Sequence, residues 1–562
     1  MPMKKIVIHV LPFILFWGAY QSLQAAQPPN AFAVASAHKL ATQAGIDILK
    51  KGGNAFDAAV AVSAALAVVE PSGSGLGGGG FWLLHFHKDQ HNLFIDGREI
   101  APNAAHEKMY LDKTGKVVSG ASRDGALAAA IPGEPAALVH IATQYGKLPL
   151  SESLEPAIRL ARDGFSVDAR MLLLMGLRIS QLKNNAGAAS IFLVDGELPK
   201  LGARLVQEDL ARTLELIAAQ GNDGFYKGEV ANRLVQGVQQ AGGIWTLADL
   251  AAYRVKEREP IVTELDGYRV ISAPPPSSGG IALATMLQIL SDYDFQSLSE
   301  VGQTHLVVEA MRRAYRDRAQ YLGDPDFVSI PVARLTHPWY ASGLGASIRL
   351  DKATPSESLP GYQRGAKGED TTHFSILDSE GNRVAATLSI NLPFGSGFVP
   401  EGTGVLLNNE MDDFAIKPGE PNAYGLVGAE ANAIQPGKRP LSSMTPTFVE
   451  SPDRVAILGT PGGSRIITMV LLGILEFLAG NSAEKWVERP RFHHQYLPHK
   501  IFHEQRAFDD SLLTQMRAMG HKLEPSLREY GNMQAVLWQL TTNQVTAASD
   551  SRGLGTAQVV AK

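Results

Sequence analysis

Thr371, Ser389 and Asn391 carry side chains that could perform chemistry together. A threonine hydroxyl becomes a nucleophile when a neighbouring base accepts its proton, and a second hydroxyl and an amide can orient that nucleophile or bind a substrate. The three residues lie at one end of two segments that have the pattern of paired strands. An ordinary half-polar β-hairpin has the same pattern, so a functional interpretation depends on the other polar motifs of the chain.

A β-hairpin is predicted to bring these three residues together. Residues 372–378 and 383–390 are rich in β-branched and apolar side chains, and Gly381 stands third in the loop between them. A three-residue loop with glycine at its third position pairs Asp378 with Asn382. Counting back along both strands from this pair places the threonine opposite the serine, with the asparagine on the same face.

Charged residues in two other segments could bind the ends of a substrate. Arg98 follows a predicted strand. An arginine at such a place either forms a surface ion pair or binds a carboxylate in a bidentate manner. Glu410 and Asp413 belong to an acidic cluster behind a predicted apolar strand in residues 404–414. Such a cluster is either solvated or receives a substrate ammonium group. Its spacing fits no calcium-binding loop, so we expect no metal there.

Hydroxyl and glycine pairs occur further along the chain. Ser442 and Ser443 are adjacent hydroxyl residues. Gly462 and Gly463 lie between a predicted strand and a predicted helix, where successive backbone N–H groups could hold a developing oxyanion. A tight turn that caps the helix would have the same sequence. Residues 417–438, rich in Gly, Pro and Asn, are long enough for a lid over a cleft.

Two further motifs receive structural interpretations. Gly73, Gly75 and Gly78 match the dinucleotide-binding spacing, but a predicted helix precedes them and a predicted strand follows, the reverse of the required order. We predict a tight turn against which another backbone packs. The histidine-rich residues 493–499 lack the spacing of a metal site, so surface or structural roles are expected for their histidines.

The composition is that of a globular protein, with 45% hydrophobic and 19% charged residues. The net charge is −5 and cysteine is absent, so we expect no nucleic-acid partner, no disulfide and no cysteine nucleophile. Lys4 and Lys5 precede an apolar run in residues 6–17, which predicts a cleavable signal peptide over residues 1–25. The mature protein is then expected in the periplasm or outside the cell, an uncleaved membrane anchor being the alternative.

The order of the polar motifs resembles that of a known family. The motifs are DTTH at residues 370–373, NNEMDDF at 408–414, PLSSM at 440–444 and PGGSR at 461–465, together with IDGRE at 95–99. They closely resemble the γ-glutamyltranspeptidase family over nearly all of the chain after the signal. The resemblance implies an α+β fold, the four-layer αββα sandwich of the N-terminal-nucleophile (Ntn) hydrolases, built from both halves of a self-cleaved precursor.

The resemblance also implies that the precursor cleaves itself between Asp370 and Thr371. A large subunit of residues 26–370 and a small subunit of residues 371–562 would then form a heterodimer. Cleavage would give Thr371 a free α-amine with a pKa of about 7.7–8.0, low enough for a base near neutral pH. Nucleophile and base would belong to one residue.

The resemblance assigns roles to the polar residues of all these motifs. The implied site residues are, for catalysis, Thr371, Ser389, Gly462 and Gly463; for the substrate α-carboxylate, Arg98, Ser442 and Ser443; for its α-ammonium, Asn391, Glu410 and Asp413; and, in the lid, Tyr424. The implied activity needs no cofactor. It is cleavage of the γ-glutamyl amide of glutathione and related donors, with transfer to water or to amino acid and peptide acceptors.

One residue departs from the family pattern, and several other functions stay open. Ser389 stands where the family commonly has threonine, so the hydroxyl is kept without the stiff side-chain torsion, and we expect slower processing. The nearest alternative is an amidase of the same scaffold acting on glutaryl or cephalosporin side chains or on poly-γ-glutamate. A nucleotide-dependent oxidoreductase and a binding protein that has lost its activity are more distant alternatives.

Overall fold

The computed structural model describes residues 27–359, 371–417, 419–420, 422–426 and 428–562. The predicted signal peptide and Asp370 lie outside these residues. Among the helices of the described part, none has the length and apolar character needed to cross a membrane.

Most strands belong to two large antiparallel sheets. The strands are β1 (Ala31–Ser36), β2 (Gly79–Phe86), β3 (His91–Gly97), β4 (Phe165–Ser166), β5 (Arg204–Leu205), β6 (Lys256–Arg258), β7 (Ile261–Leu265), β8 (Tyr268–Ser272), β9 (Thr372–Leu377), β10 (Arg383–Ser389), β11 (Thr447–Glu450), β12 (Arg454–Gly459), β13 (Phe492–His493), β14 (Ile501–His503), β15 (Leu523–Pro525), β16 (Gln534–Gln539), β17 (Gln544–Ser549) and β18 (Thr556–Ala561). The first sheet has the order β18-β1-β9-β10-β2-β3-β6 and the second β17-β16-β12-β11-β8-β7. Both sheets therefore combine strands from either side of the predicted cleavage point.

Helices cover the outer faces of the two stacked sheets. The helices are α1 (Lys39–Lys50), α2 (Ala55–Val69), α3 (Glu134–Tyr145), α4 (Leu150–Asp163), α5 (Ala169–Leu177), α6 (Ile179–Lys183), α7 (Ala186–Phe192), α8 (Glu208–Gln220), α9 (Asp223–Tyr226), α10 (Gly228–Gln240), α11 (Leu247–Ala252), α12 (Gly279–Ser291), α13 (Glu300–Tyr321), α14 (Val332–Leu335), α15 (Pro338–Gly345), α16 (Ile466–Leu478), α17 (Ala483–Glu488) and α18 (Asp510–Ala518). Helices α1, α2 and α3 pack on the first sheet, and α12 and α16 pack on the second. Strands β9 and β10 contact β12 across the interface between the sheets. The predicted αββα sandwich is confirmed.

Strand residues alternate between two hydrophobic cores. In β2, Trp82 and Leu84 belong to the core shared with α1 and α2, whereas Phe81 and Leu83 belong to the core that contains the second sheet. Successive side chains of a strand point to opposite faces, so a strand between two apolar layers is hydrophobic on both. This explains why the central strands carry few charges.

The hairpin that ends at the candidate nucleophile has the predicted register. Strands β9 and β10 pair Thr372 with Leu388, and the backbone N–H of Asp378 donates to the carbonyl of Asn382 over 2.9 Å. Gly381 has a φ of +91°, a value that glycine adopts without strain. The residues that precede Thr372 and follow Leu388 therefore meet at the same end of the hairpin.

Two other backbone segments pack closely against the glycine-rich loop between α2 and β2, in agreement with the predicted tight turn. A Cβ atom on Gly77 would lie 2.1 Å from the carbonyl oxygen of Leu406, and one on Gly78 would lie 2.2 Å from that of Ser389. The strand predicted in residues 404–414 is wrong, because Leu407 forms only an isolated bridge with Gly77. The Asn408 side chain, rather than a strand ladder, holds this segment by donating to the carbonyl of Gly77 over 2.6 Å.

Candidate active site

A small cavity at the end of the β9–β10 hairpin collects most of the predicted site residues. Those that line it are Arg98, Thr371, Ser389, Asn391, Asp413, Tyr424, Ser442, Ser443 and Gly463. Of the remaining two, Glu410 contacts Arg98 and Gly462 lines an adjoining groove. Residues distant in sequence thus converge on one place.

Thr371 lies buried immediately before β9, and its neighbours fix its position. The Thr372 hydroxyl donates to Glu70 at the end of α2 over 2.5 Å, which anchors this end of the strand. The Ser389 hydroxyl oxygen accepts the backbone N–H of Asn391 over 2.8 Å. Its proton is therefore left to donate toward the cavity that Ser389 shares with Thr371.

The loop between β12 and α16 presents unused backbone donors. Gly462 and Gly463 have φ values of +140° and +55°, which favour glycine. Within the described residues, neither N–H donates a hydrogen bond. Gly462 precedes the 3₁₀ turn Gly463–Arg465, and Gly463 begins it; helix α16 follows, so the positive end of its dipole lies close by. This arrangement can stabilise an oxyanion.

The two serine hydroxyls are both prepared to donate. The Ser442 hydroxyl accepts the backbone N–H of Met444 over 3.1 Å, and the Ser443 hydroxyl accepts a guanidinium N–H of Arg318 over 3.3 Å. Because each oxygen already accepts a hydrogen bond, each hydroxyl proton is available for an anion in the cavity. The loop that contains Ser278 supports them, since the Ser278 N–H and hydroxyl both donate to the carbonyl of Ser442.

The amide of Asn391 and the carboxylate of Asp413 can accept hydrogen bonds on the cavity wall. The amide nitrogen of Asn391 donates to the carbonyl of Asn409 over 2.8 Å, while its buried oxygen has no partner among the described residues. The Asp413 carboxylate also lines the cavity. A buried acceptor without a donor is costly, and a ligand with N–H groups would relieve that cost.

Arg98 lies in a buried cluster of acids, so it is not a surface ion-pair partner. Its guanidinium contacts Asp413 at 2.6 Å, Glu410 at 2.8 Å and Glu99 at 3.5 Å. Burial raises the pKa of Glu410 well above its ordinary value, although Arg98 opposes the shift. Burial likewise raises the pKa of Glu99 to about 7, with Arg98 lowering it in part. The acidic segment is therefore buried and not solvated.

The sequence analysis did not identify Arg318, which also lines the cavity. It is buried on α13, donates to the hydroxyls of Ser278 and Ser443, and has no carboxylate within ion-pair distance in the described part of the chain. Burial lowers its pKa to about 10, so it remains charged at neutral pH. In the sequence it stands among other arginines of a predicted helix, and no spacing signal singles it out.

Tyr424 connects the predicted lid segment to both sides of the cavity. Its hydroxyl donates to the carbonyl of Asn391 over 2.7 Å, and a Cβ atom on Gly463 would lie 2.4 Å from its ring. The amide nitrogen of Gln495 donates to the carbonyl of Tyr424, and the Ser464 hydroxyl donates to the amide oxygen of Gln495. Residues 418, 421 and 427 of the segment lie outside the described residues.

The histidines beside Gln495 are structural. His493 is fully buried, and its ring nitrogens contact the Thr468 hydroxyl at 2.9 Å and the amide oxygen of Gln495 at 2.8 Å. Burial lowers its pKa to about 3, so it is neutral at physiological pH. Surface or structural roles were predicted for the histidines of residues 493–499, and His493 has a structural role.

One cluster in the described residues has metal-ligand types within reach of one another, namely His305, Glu309 and His521. Its groups are already engaged. His305 Nδ1 and His521 Nε2 share a hydrogen bond of 2.7 Å, and Glu309 contacts the guanidinium groups of Arg312 and Arg313. Two nearby cations oppose a metal ion, so we assign none to this cluster.

Comparison with known proteins identifies the family. The profile of the Gamma-glutamyltranspeptidase family matches residues 41–560. The chain belongs to this family. A glutathione hydrolase proenzyme of Pseudomonas sp. (strain A14) is 44% identical over 87% of this chain and 86% of its own length. That of Escherichia coli (strain K12) is 43% identical over 93% of this chain and 90% of its own.

A solved structure shares the fold of this family member over its full length. A cephalosporin acylase from Bacillus halodurans is 27% identical and has a TM-score of 0.83, with 98% of this chain and 99% of the acylase covered. The γ-glutamyltranspeptidase chain is therefore an enzyme with the Ntn-hydrolase fold. The family assignment excludes the nucleotide-dependent oxidoreductase.

Proposed function

We propose that this enzyme cleaves γ-glutamyl amides, glutathione among them, and transfers the γ-glutamyl group to water or to the amines of amino acids and peptides. One observation carries the proposal: the cavity beside Thr371 contains both hydrogen-bond donors and acceptors that the described protein groups do not use. A γ-glutamyl head group carries an α-carboxylate and an α-ammonium. It therefore needs both kinds of partner within a few ångströms.

The hydroxyls of Ser442 and Ser443 hold the α-carboxylate, together with positive charge from Arg98 and Arg318. The two arginines contribute differently. Arg98 shares its charge with the acids that surround it, whereas the Arg318 guanidinium, among the described residues, donates to the hydroxyls of Ser278 and Ser443. A carboxylate bound beside Arg318 neutralises a buried charge that otherwise lowers stability.

The opposite wall holds the α-ammonium. The unpaired amide oxygen of Asn391 and the carboxylate of Asp413 accept its N–H groups, and Glu410 adds negative charge behind Arg98. Tyr424 closes the cavity, since it contacts both Asn391 and the glycine loop. A glutaryl group has no ammonium and would leave these acceptors without a partner.

The active enzyme arises by self-cleavage. The Thr371 hydroxyl attacks the carbonyl carbon of Asp370, the peptide C–N bond breaks, and water then hydrolyses the resulting ester. Residues 26–370 and 371–562 become the two subunits of a heterodimer after removal of a signal peptide over residues 1–25, in the periplasm or outside the cell. The proenzyme names of the bacterial relatives support this route.

Turnover uses the α-amine that cleavage frees. It accepts the proton of the Thr371 hydroxyl as the oxygen attacks the γ-carbonyl of the donor. The N–H groups of Gly462 and Gly463 stabilise the oxyanion, and Ser389 orients the threonine. The proton passes to the departing amine, leaving a γ-glutamyl ester on Thr371. Water or an acceptor amine then attacks this ester.

Three anilides that differ only in the acyl head test the proposal. The γ-glutamyl compound has both charges, the glutaryl compound lacks the ammonium, and the 4-aminobutyryl compound lacks the carboxylate. We expect kcat/KM for the γ-glutamyl compound to exceed the others by about 10²- to 10⁴-fold, because buried partners would otherwise be left unpaired. Thr371→Ala should remain one uncut chain without activity. Preference for the glutaryl compound would contradict the proposal and favour the acylase alternative.

A further inference from the structure

A second cavity, the inter-sheet cavity, has a volume of about 850 Å³ and opens at the end of the sheets opposite to Thr371. Arg383 and Ser389 are the first and last residues of β10. Arg383 lines the inter-sheet cavity, whereas Ser389 lines the cavity beside Thr371. Since a strand rises about 3.3 Å per residue, the two cavities lie about 20 Å apart. None of the roles proposed above uses the inter-sheet cavity.

Both sheets contribute to the walls of the inter-sheet cavity. His87, which follows β2, and Arg383 of β10 come from the first sheet, and Tyr268, Val455 and Trp538 come from the second. The ring centroids of His87 and Trp538 lie 5.7 Å apart, so the two sheets are in contact at this cavity. Its volume is that of a small-molecule site, since ligand cavities commonly measure about 300–1,000 Å³.

Apolar side chains line much of the inter-sheet cavity. Val455 and Trp538 are buried, and Leu265, Tyr268 and Leu540 are half-buried. An apolar group that enters gains free energy by leaving water, and a flat ring also gains from contact with the two aromatic side chains. The lining therefore favours a ligand with an aromatic body.

One wall of the inter-sheet cavity carries two arginines that share one acid. Glu450 contacts the guanidinium of Arg383 and, at 3.1 Å, that of Arg269. The Nε–H of the buried Arg383 donates to no group among the described residues. Burial lowers the pKa of Arg383 to about 10, with Glu450 opposing the shift and Arg269 adding to it, so the side chain stays charged at neutral pH. A further anion would reduce the repulsion between the two guanidinium groups.

The other acid on this wall holds its partner weakly. Glu264 contacts the Nε of Arg269 at 3.1 Å, but the two side chains are 68% and 48% exposed. Exposed ion pairs contribute little, because water solvates both groups and each side chain loses freedom in the pair. A ligand carboxylate can therefore replace Glu264 at Arg269, where the guanidinium offers two parallel N–H donors.

We propose that the inter-sheet cavity is a binding site for an aromatic carboxylate, whose ring packs against Tyr268 and Trp538 and whose carboxylate binds Arg269. Arg383 adds positive charge behind Arg269. The site shares no lining residue with the cavity beside Thr371, so its assignment does not depend on the proposed function.

Calorimetric titration of the cleaved, full-length enzyme with 2-naphthoate and its neutral analogue 2-naphthamide tests the site. We expect one naphthoate per enzyme, with a Kd about three- to tenfold below that of the amide, because only the carboxylate pairs with Arg269. Arg269→Met should weaken naphthoate binding by the same factor and leave naphthamide binding unchanged. Arg269→Lys should retain most of the preference, since the charge is kept.

Two further variants complete the test. Leu540→Ser should weaken both probes to a similar extent, because it removes apolar surface that either ring would contact. Arg159→Met, at an exposed arginine of α4 that also pairs with an acid, should change neither affinity. Thermal unfolding of each variant checks that it is folded.

Three results would overturn the assignment. They are the absence of naphthoate binding at millimolar concentration, equal affinity of the wild type for both probes, and an Arg269→Met effect of the same size on both. Loss of naphthoate binding in Arg318→Met rather than in Arg269→Met would place the probe beside Thr371 and would likewise contradict it. Hydrolysis of γ-glutamyl anilides would persist in each case, and the proposed function would stand.

Discussion

At the scale of single residues, folding leaves several hydrogen-bonding groups of the cavity beside Thr371 unused. Ser442 and Ser443 keep a proton to donate, and Asn391 keeps an oxygen to accept. Because these unused donors and acceptors line one cavity beside Thr371, they indicate a ligand with matching groups. Arg318 adds a buried charge without a counterion in the described residues.

Substitution of Arg318 tests its role in carboxylate binding. Arg318→Met should lower kcat/KM for γ-glutamyl-p-nitroanilide about 10- to 100-fold, because a hydrogen bond to a charged group is lost. The 4-aminobutyryl anilide, which has no α-carboxylate, should be affected less. Steady-state kinetics with both compounds give the comparison.

Two variants of α13 serve as controls for Arg318. Arg318→Lys keeps the charge and should retain part of the selectivity. Arg316→Met removes a neighbouring arginine that pairs with Asp317 and does not line the cavity, so its substrate selectivity should equal that of the wild type. An equal loss by Arg318→Met on both anilides would indicate a purely structural role.

Substitutions of Ser389 should change the rate of self-cleavage. Ser389→Thr should be cleaved about threefold faster than the wild type, because a β-branched side chain samples fewer χ1 rotamers and holds its hydroxyl in place for longer. Ser389→Ala should be cleaved more slowly than both. Incubation of purified precursor, followed by gel electrophoresis at intervals, measures the rates. A slower Ser389→Thr precursor would contradict the explanation.

The buried acids around Arg98 predict a pH-dependent stability. Burial raises the pKa of Glu99 from an ordinary 4.5 to about 7, so the folded protein binds a proton more tightly than the unfolded chain. Its contribution is full below pH 4.5 and is lost as pH rises to about 7. The free energy of unfolding of the wild type relative to Glu99→Gln should therefore fall by up to about 1.4 kcal/mol per pH unit across this window.

Urea unfolding of both proteins at intervals from pH 4.5 to 8 measures this difference. The comparison with Glu99→Gln cancels titrating groups that do not interact with Glu99, such as the buried His373, whose pKa burial lowers to about 3. A difference that stays constant with pH would show that Glu99 titrates at the same pKa in the folded and unfolded states.

At the scale of elements, the site is built at the ends of strands where the chain leaves the sheet. The β9–β10 hairpin presents Thr371 and Ser389, and the end of β12 presents the two glycines. Gln495 joins the Tyr424 segment to the turn after these glycines through the carbonyl of Tyr424 and the hydroxyl of Ser464. Rigid strands position the reacting groups, and loops supply the adjustable contacts.

Substitutions in the loop that contains Gly462 and Gly463 should reduce activity by more than backbone strain alone explains. Gly463→Ala places a Cβ atom 2.4 Å from the Tyr424 ring at a φ of +55°, so the loop must shift and its N–H groups move away from the oxyanion. We expect kcat to fall about 10²- to 10³-fold. Steady-state kinetics and thermal unfolding measure the two effects.

Gly480→Ala is the matched control. Gly480 also has a positive φ of +87°, but an added Cβ atom would meet nothing within 4 Å. Gly480→Ala should therefore lower the free energy of unfolding by about 1 kcal/mol through backbone strain, and its kcat should equal that of the wild type. Comparable kcat values for the two variants would argue against a role for the loop in catalysis.

At the scale of the whole molecule, the two predicted subunits are interleaved and share both sheets. In the first sheet β1 lies between β18 and β9, and in the second β8 pairs with β11. Each pairing joins strands from opposite sides of the predicted cut. The cores likewise contain residues from both sides, so separating the subunits would expose most of the apolar interior.

Cleavage is therefore expected to leave one compact particle. After processing, the two chains should elute together in gel filtration at the size of the Thr371→Ala precursor and separate only in denaturant. Residues 371–562 expressed alone should not fold, since they lack the partner strands of β9, β11 and β18. Elution of two separate native species from the cleaved protein would contradict this expectation.

Local sequence determined the elements that carry the site. The β9–β10 hairpin and its register were predicted from two β-branched segments and the glycine in the loop between them. This was possible because strand pairing across a short loop depends on residues that are close in sequence. The glycine-rich turn and the strand–glycine–helix junction follow from the same local rules. The order of the polar motifs, by resemblance, indicated the family and the residues of the cavity.

Tertiary structure alone decided which side chains are charged, paired or available. Arg318 looks like any other arginine of a helix until α13 packs beside Ser443. Glu99 and Glu410 look solvated until burial beside Arg98 raises their pKa values. The groove beside Gly462 combines segments from across the chain. Local spacing does not encode such contacts, because hydrogen-bond satisfaction and desolvation depend on neighbours that are distant in sequence.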